Sequence, residues 1–206
     1  MRFLFDPNSK FGIIVTRLTE LVILNFVFFL TCLPIFTVGA ANTALYDTVF
    51  RMDTDREGKL LATYFRSFRS NFAQSTLMWM LLLLFFVAGY VNMALFSGIS
   101  GILGQVLLLI SLLVFLLALS VFSYAFPWQS QFVNSPRQTL RNALLLSIGH
   151  LPRTAVLLVL NCFPWALMLM NFYAFMQLGV LWIGLYFSAA AYYGSRILFK
   201  VFQPYR

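Results

Sequence analysis

The residues able to perform acid–base or metal chemistry are few and cluster early in the chain. The segment Asp53–Gly58 alternates oxygen-bearing side chains and ends in glycine, like the opening of a calcium-binding loop. Its twelfth position is Tyr64, where that geometry requires a bidentate glutamate, so we interpret the segment as a solvated turn. All six carboxylates precede Gly58: Asp6, Glu20, Asp47, Asp53, Asp55 and Glu57.

The remaining reactive side chains lack partners in the sequence. His150 is the single histidine and has no cysteine or carboxylate nearby, which makes it a poor general base or metal ligand. Cys32 and Cys162 lie inside apolar runs without the spacing of a zinc or redox motif. No phosphate-binding glycine loop or nucleophile elbow occurs. We therefore predict a protein that is not an enzyme, with no catalytic, cofactor or metal site.

Charge is missing from most of the chain. No Lys, Arg, Asp, Glu or His occurs between Arg69 and Arg137, or between Arg153 and Arg196. The chain is 61% hydrophobic and 10% charged, and a charged group inside hydrocarbon costs at least a few kcal/mol. The sequence predicts an all-α, polytopic integral membrane bundle, with residues 1–206 as one domain. The net charge of +8 lies at the ends of apolar runs, so we assign it to anionic lipid headgroups and not to nucleic acid.

Four segments have the about 20 apolar residues that a spanning helix needs. They form two predicted hairpins, residues 75–126 and 154–199, because their connectors are short and uncharged. Pro164 predicts a kink, and the carbonyl that it frees requires a partner from a neighbouring helix. The four segments are Ser75–Phe96, Ile102–Phe126, Thr154–Asn171 and Leu178–Phe199.

The first 50 residues allow two topologies. In a five-span bundle one helix kinked near Pro34 crosses, leaving Arg2, Lys10 and Arg17 outside. In a six-span bundle the chain rises to Leu33, turns, and returns as a short helix shielded by protein. The second places all 14 basic residues on one side, as the positive-inside rule prefers. Hydrophobic length favours the first, because a return helix of about 13 residues covers only about 20 Å.

Two connecting segments, residues 51–74 and 127–153, are predicted to hold amphipathic helices at the membrane interface, and residues 200–206 form a tail. The first helix carries aromatic residues at helical spacing, and the second begins at Ser135 and Pro136, a typical N-cap and first-turn pair. These helices either anchor the bundle or dock a partner. The candidate interaction surface is Phe65, Arg66, Phe68, Arg69, Asn142 and Arg153, and the predicted helix-turn positions are Pro34, Thr37, Gly39, Pro127 and Pro152.

Polar residues within the apolar runs are interpreted as structural. Arg17 and Glu20 stand three positions apart, which predicts an ion pair at the interface. Asp47 is expected to mark the cytoplasmic end of the short second helix. Four asparagines at or near membrane depth are expected to form interhelical hydrogen bonds: Asn25, Asn92, Asn161 and Asn171.

Short motifs in a fixed order resemble the YesL family of bacterial membrane proteins, over nearly the whole chain. They are Asn25, Pro34–Ala40, Thr43–Tyr46, Phe65–Phe72, Tyr124–Pro127, Leu140–Leu144 and His150–Thr154. The family has no established activity. Its members are commonly encoded beside carbohydrate ABC importers, sensor kinases and polysaccharide-degrading enzymes in Gram-positive bacteria.

The resemblance implies an accessory or scaffold protein that associates with the membrane subunits of a sugar importer or with its sensor kinase. The alternative is a small facilitator or exporter that conducts a sugar or related solute itself. Either places the chain in the bacterial plasma membrane. The positive-inside rule puts the C-terminus on the cytoplasmic side, and the six-span reading puts the N-terminus there as well.

Overall fold

A computed structural model describes residues 10–52, 60–99 and 101–205. Within those residues the regular structure is entirely helical, with no strand. The helices are α1 (Lys10–Cys32), α2 (Val38–Arg51), α3 (Leu60–Phe96), α4 (Ile102–Gln131), α5 (Pro136–Gly149), α6 (Leu151–Met170), α7 (Phe172–Gln177), α8 (Gly179–Leu181) and α9 (Phe187–Phe202), with 3₁₀ turns at Ile35–Thr37 and Gln203–Tyr205.

Within the described residues, four helices are long and apolar enough to cross a membrane: Phe11–Cys32, Leu60–Phe96, Ile102–Gln131 and Leu151–Met170. Helices α8 and α9 are joined by a π-helical turn, Trp182–Tyr186, and run unbroken from Gly179 to Phe202. This continuous helix, called the last helix below, also exceeds the about 20 residues that a spanning helix needs. The predicted all-α bundle is confirmed, and its long apolar helices are of the kind found in membrane proteins. The number of crossings stays a prediction.

Helix α1 ends and helix α2 begins at the predicted positions. Pro34 caps the 3₁₀ turn, and the Thr37 hydroxyl donates to the carbonyl oxygens of Thr31 and Pro34 at 2.5 and 2.6 Å. At 14 residues, α2 is only about 21 Å long, and residues 39–49 are all buried. The expected shielding of this short helix by protein is confirmed.

Gly39 is a point of close approach between α2 and its neighbours. A Cβ atom built there would lie 2.6 Å from the Cβ of Trp79 on α3 and 2.9 Å from Cε1 of Phe126 on α4. One turn later the hydroxyls of Thr43 and Ser75 are hydrogen-bonded at 2.8 Å. Only glycine lets α2 lie this close to α3 and to the Phe126 ring of α4.

Two sequence predictions for α3 and α4 are wrong. The interfacial helix and the span expected to begin at Ser75 are one helix of 37 residues, Leu60–Phe96, because no glycine or proline interrupts its first 29 positions. The predicted turn at Pro127 is absent, since α4 continues through this proline to Gln131. Pro127 and its neighbours on both sides are buried, and this packing offsets the loss of one backbone hydrogen bond.

The start of α5 and its junction with α6 lie where the sequence predicts them. The Ser135 hydroxyl accepts from the Gln138 amide at 3.4 Å, and the Gln138 side chain accepts from the Ser135 amide at 3.2 Å, which completes a capping box. Pro136 lies in the first turn. His150 caps both α5 and α6, and Pro152 lies in the first turn of α6, as predicted.

Candidate binding cavity

Helices α4 and α6 are hydrogen-bonded to each other, and residues of both helices, of α1 to α3 and of the last helix line one cavity. The Tyr124 hydroxyl is hydrogen-bonded to that of Thr154 at 3.0 Å, and the Asn161 amide donates to the Ser123 hydroxyl at 2.9 Å. The cavity holds about 540 Å³. Its lining includes Phe28, Phe29, Cys32, Val38, Asn42, Leu45, Tyr46, Trp79, Phe86, Phe115, Leu119, Phe122, Ser123, Asn161, Cys162, Trp165, Phe175, Trp182, Phe187, Ala190 and Ala191.

Aromatic rings that contact one another make up much of the cavity wall. On the α3–α4 side Trp79 packs edge-on against Phe122 with ring centroids 5.6 Å apart. On the opposite side Phe175 stacks on Trp182 at 5.8 Å and 18°, and the Trp182 ring nitrogen donates to the Phe175 carbonyl at 2.9 Å. Rings held on two sides present fixed apolar surfaces to anything in the cavity.

The polar groups of the cavity are uncharged. Asn42, Tyr46, Ser123 and Asn161 line it, and no Asp, Glu, Lys, Arg or His is among the described residues of the lining. Such a wall can hydrogen-bond a neutral ligand and stack on its apolar faces. It offers neither a general acid–base pair nor a counter-ion for a charged ligand.

Asn25 supports the cavity wall from behind by holding the π-helical turn of the last helix. Its amide nitrogen donates to the carbonyls of Trp182 and Ile183 at 3.0 and 2.6 Å, and its amide oxygen accepts from the backbone of Ser188 at 2.9 Å. The side chain is fully buried. A π-helical turn displaces the regular i to i−4 bonds, so these groups need an outside partner. Asn25 thereby fixes Trp182 and Phe187, which both line the cavity.

The other predicted polar roles have mixed outcomes. Asn161 bonds across helices as expected, whereas Asn171 caps α7 by accepting from the Ala174 amide at 3.0 Å, and Asn92 is exposed on α3. The Arg17–Glu20 ion pair is confirmed, with a nitrogen–oxygen distance of 3.1 Å. Asp47 is buried on α2 and pairs with Arg51 at 2.9 Å.

The six residues of the candidate interaction surface do not form one patch. Phe65, Arg66 and Arg69 are exposed and line one shallow depression, while Phe68 is half-buried and stacks on Tyr64 at 6.4 Å. Arg153 lines a separate groove with Arg196 and Lys200. Asn142 is half-buried on α5 and lines neither depression.

Sequence reasoning missed the cavity itself and the polar groups of α2 within it. Asn42 and Tyr46 lie one helical turn apart on a helix otherwise rich in small residues. That spacing could have predicted a polar stripe along one face of α2. The composition of α2 did not reveal which of its faces lines the cavity. Segment 53–58, which we interpret from the sequence as a solvated turn, lies outside the described residues. Among those described, no three His, Cys, Asp or Glu side chains come together.

Comparison with known proteins gives one match. Residues 21–93 match the model of a family described as "Protein of unknown function, DUF624". The matched stretch contains the break at Pro34, all of α2 and the close approach at Gly39. No curated protein and no solved structure matches the chain.

Proposed function

We propose that this chain binds a small uncharged solute in the cavity between its helices and conducts it as a non-enzymatic facilitator, with carbohydrate as the solute class. The cavity is the observation that carries the proposal. Its volume of about 540 Å³ falls within the about 300–1,000 Å³ of small-molecule pockets.

The chemistry of the wall suits a sugar. A sugar ring has apolar C–H faces that stack on aromatic rings, and Trp79, Phe122 and Trp182 supply such rings. Its hydroxyls require neutral donors and acceptors, which the amides of Asn42 and Asn161 supply. The resemblance to the YesL family, whose members are commonly encoded beside sugar importers, supports the same solute class.

Tryptophan fluorescence offers a direct test of binding. Three of the four tryptophans line the cavity: Trp79, Trp165 and Trp182. We expect saturable changes in the emission of the purified full-length chain when glucose or maltose is added, and no change with the charged analogue gluconate. Flux of the same sugars into liposomes containing the protein tests conduction.

A cavity-filling variant tests whether the binding and the flux depend on this cavity. Ala190 is half-buried and lines the cavity, whereas Ala166 is exposed on the outside of α6. Ala190→Leu should abolish both the sugar-induced emission change and the flux, and Ala166→Leu should leave them intact. Absence of both responses in the wild-type protein for every neutral mono- and disaccharide tested would overturn the proposal.

A second candidate function is an accessory subunit that associates with the membrane subunits of a sugar ABC importer or with a sensor kinase. The observation in its favour is the exposed pair Phe65 and Arg66 beside Arg69, because exposed aromatic and arginine side chains are enriched at protein interfaces. We expect mild-detergent purification to recover the importer or kinase, and Phe65→Ala/Arg66→Gln to lose it. Arg137→Gln/Arg141→Gln, on the exposed side of α5, is the matched control. Recovery of the chain alone, with or without the inducing glycan, contradicts this candidate.

A further inference from the structure

Three basic residues converge on one groove at the end of the bundle where α2, α6 and α9 meet. Arg153 comes from the first turn of α6, and Arg196 and Lys200 come from the last turns of α9. The groove has a volume of about 830 Å³. Its remaining lining is Val49, Phe50, Pro152, Val156, Ser195, Ile197 and Phe199.

The described residues that line the groove include three cations and no carboxylate. The guanidinium of Arg196 lies over the ring of Tyr192, 4.8 Å from its centroid, which limits its freedom. The first turn of α6 contains no acidic residue, and the positive end of its helix dipole adds to the same field. Phosphate is one of the anions that arginine and lysine side chains bind well.

The walls of the groove are apolar, and this decides between a soluble phosphate and a lipid. Val156 and Phe199 are 48% and 45% exposed while lining the groove, so a ligand lying there would cover hydrocarbon as well as neutralise cations. A soluble anion gains nothing from such surface. A phospholipid has a phosphate directly above acyl chains. Arg153 lies in the first turn of the apolar helix α6 and Lys200 in the last turn of α9, and basic residues at helix ends are those that reach lipid headgroups when helices cross a bilayer.

We propose that this groove is a binding site for one anionic phospholipid, with Arg153, Arg196 and Lys200 around the phosphate and the acyl chains against Val156 and Phe199. The site is distinct from the cavity, and the inference does not depend on the proposed function. It differs from general attraction of basic residues to a membrane because it assigns a single retained lipid to named residues.

Native mass spectrometry of the full-length chain tests the assignment. The protein would be titrated in detergent with phosphatidylglycerol or with zwitterionic phosphatidylcholine. We expect one saturable phosphatidylglycerol adduct. Each cation removed from beside a phosphate should weaken binding about fivefold. Arg153→Gln/Lys200→Gln should therefore weaken this adduct roughly 25-fold. The double variant keeps the contact of Arg196 with Tyr192.

The matched control is Arg137→Gln/Arg141→Gln, which removes the same charge from the exposed side of α5. It should keep the adduct. The site is overturned if both double variants lose the phosphatidylglycerol adduct equally. It is also overturned if the wild type retains phosphatidylcholine as well as it retains phosphatidylglycerol. Displacement of the adduct by millimolar glycerol phosphate overturns the lipid as ligand. If the double variant does not elute as a folded species, the two single variants replace it. Arg153→Gln and Lys200→Gln should each weaken the adduct about fivefold. Unchanged affinity in both single variants counts against the proposal.

Discussion

The hydroxyl of Tyr186 donates a hydrogen bond to the backbone carbonyl of Leu160, at a distance of 2.8 Å. Leu160 stands four residues before Pro164, which has no N–H to complete the helical bond. A carbonyl left without a partner is costly where no water reaches it. The partner that the sequence required from a neighbouring helix is therefore confirmed and identified as a tyrosine of the π-helical turn.

Removing this hydroxyl should destabilise the bundle only because Pro164 is present. We expect Tyr186→Phe to lower the free energy of unfolding by about 1–3 kcal/mol, measured by denaturant or thermal unfolding in detergent. In a Pro164→Ala background the restored N–H can bond to Leu160, so the same change should cost much less. Equal costs in the two backgrounds would contradict this account. Tyr193→Phe, at an exposed position, serves as the neutral control.

Asn25 should be among the least replaceable polar residues in the described part of the chain. Asn25→Leu removes the partners of two carbonyls and one amide of the last helix, and we expect a loss of about 3 kcal/mol or more. Asn92→Leu, at an exposed position of α3, should change stability little. Unfolding of the two variants under the same conditions checks the difference, and similar stabilities would refute the clamp on the π-helical turn.

Two glycines should respond in opposite directions to the same substitution. Gly39→Ala places a Cβ against Trp79 and Phe126, so it should destabilise the protein by about 1–3 kcal/mol or more. At Gly184 an added Cβ meets nothing within 4 Å, and Gly184→Ala should be neutral or slightly stabilising because alanine favours helix. Melting temperatures of the two variants in one detergent decide the matter. A well-tolerated Gly39→Ala would show that α2 does not pack so closely.

The amide of Asn161 should matter to ligand binding beyond its contact with Ser123. Asn161→Ala and Ser123→Ala both remove the hydrogen bond between these residues, but only the first removes an amide from the cavity. We expect Asn161→Ala to weaken sugar binding about tenfold, the equivalent of about 1.4 kcal/mol. Ser123→Ala removes a single hydroxyl from the same lining and should have a smaller effect. Fluorescence titrations with maltose measure both. Identical affinities would remove Asn161 from the proposed ligand contacts.

Local features of the chain were predictable because they depend on neighbouring residues alone. Long uncharged apolar runs determine helices in a membrane, since hydrocarbon excludes charge and requires internal backbone bonding. The break at Pro34 and the capping box at Ser135 follow from the geometry of proline and serine at helix ends. Pro127 was mispredicted because its local effect is opposed by burial among neighbouring helices.

The tertiary structure alone decided which of these helices meet and what lies between them. Two features depend on the packing of several helices at once: Asn25 holds a turn 157 residues later, and a neutral, largely aromatic cavity lies between the helices. Side chains from α1, α2, α3, α4, α6 and α9 line that cavity. No single segment encodes it, because a helix's own periodicity shows which face is apolar and not which partner that face contacts.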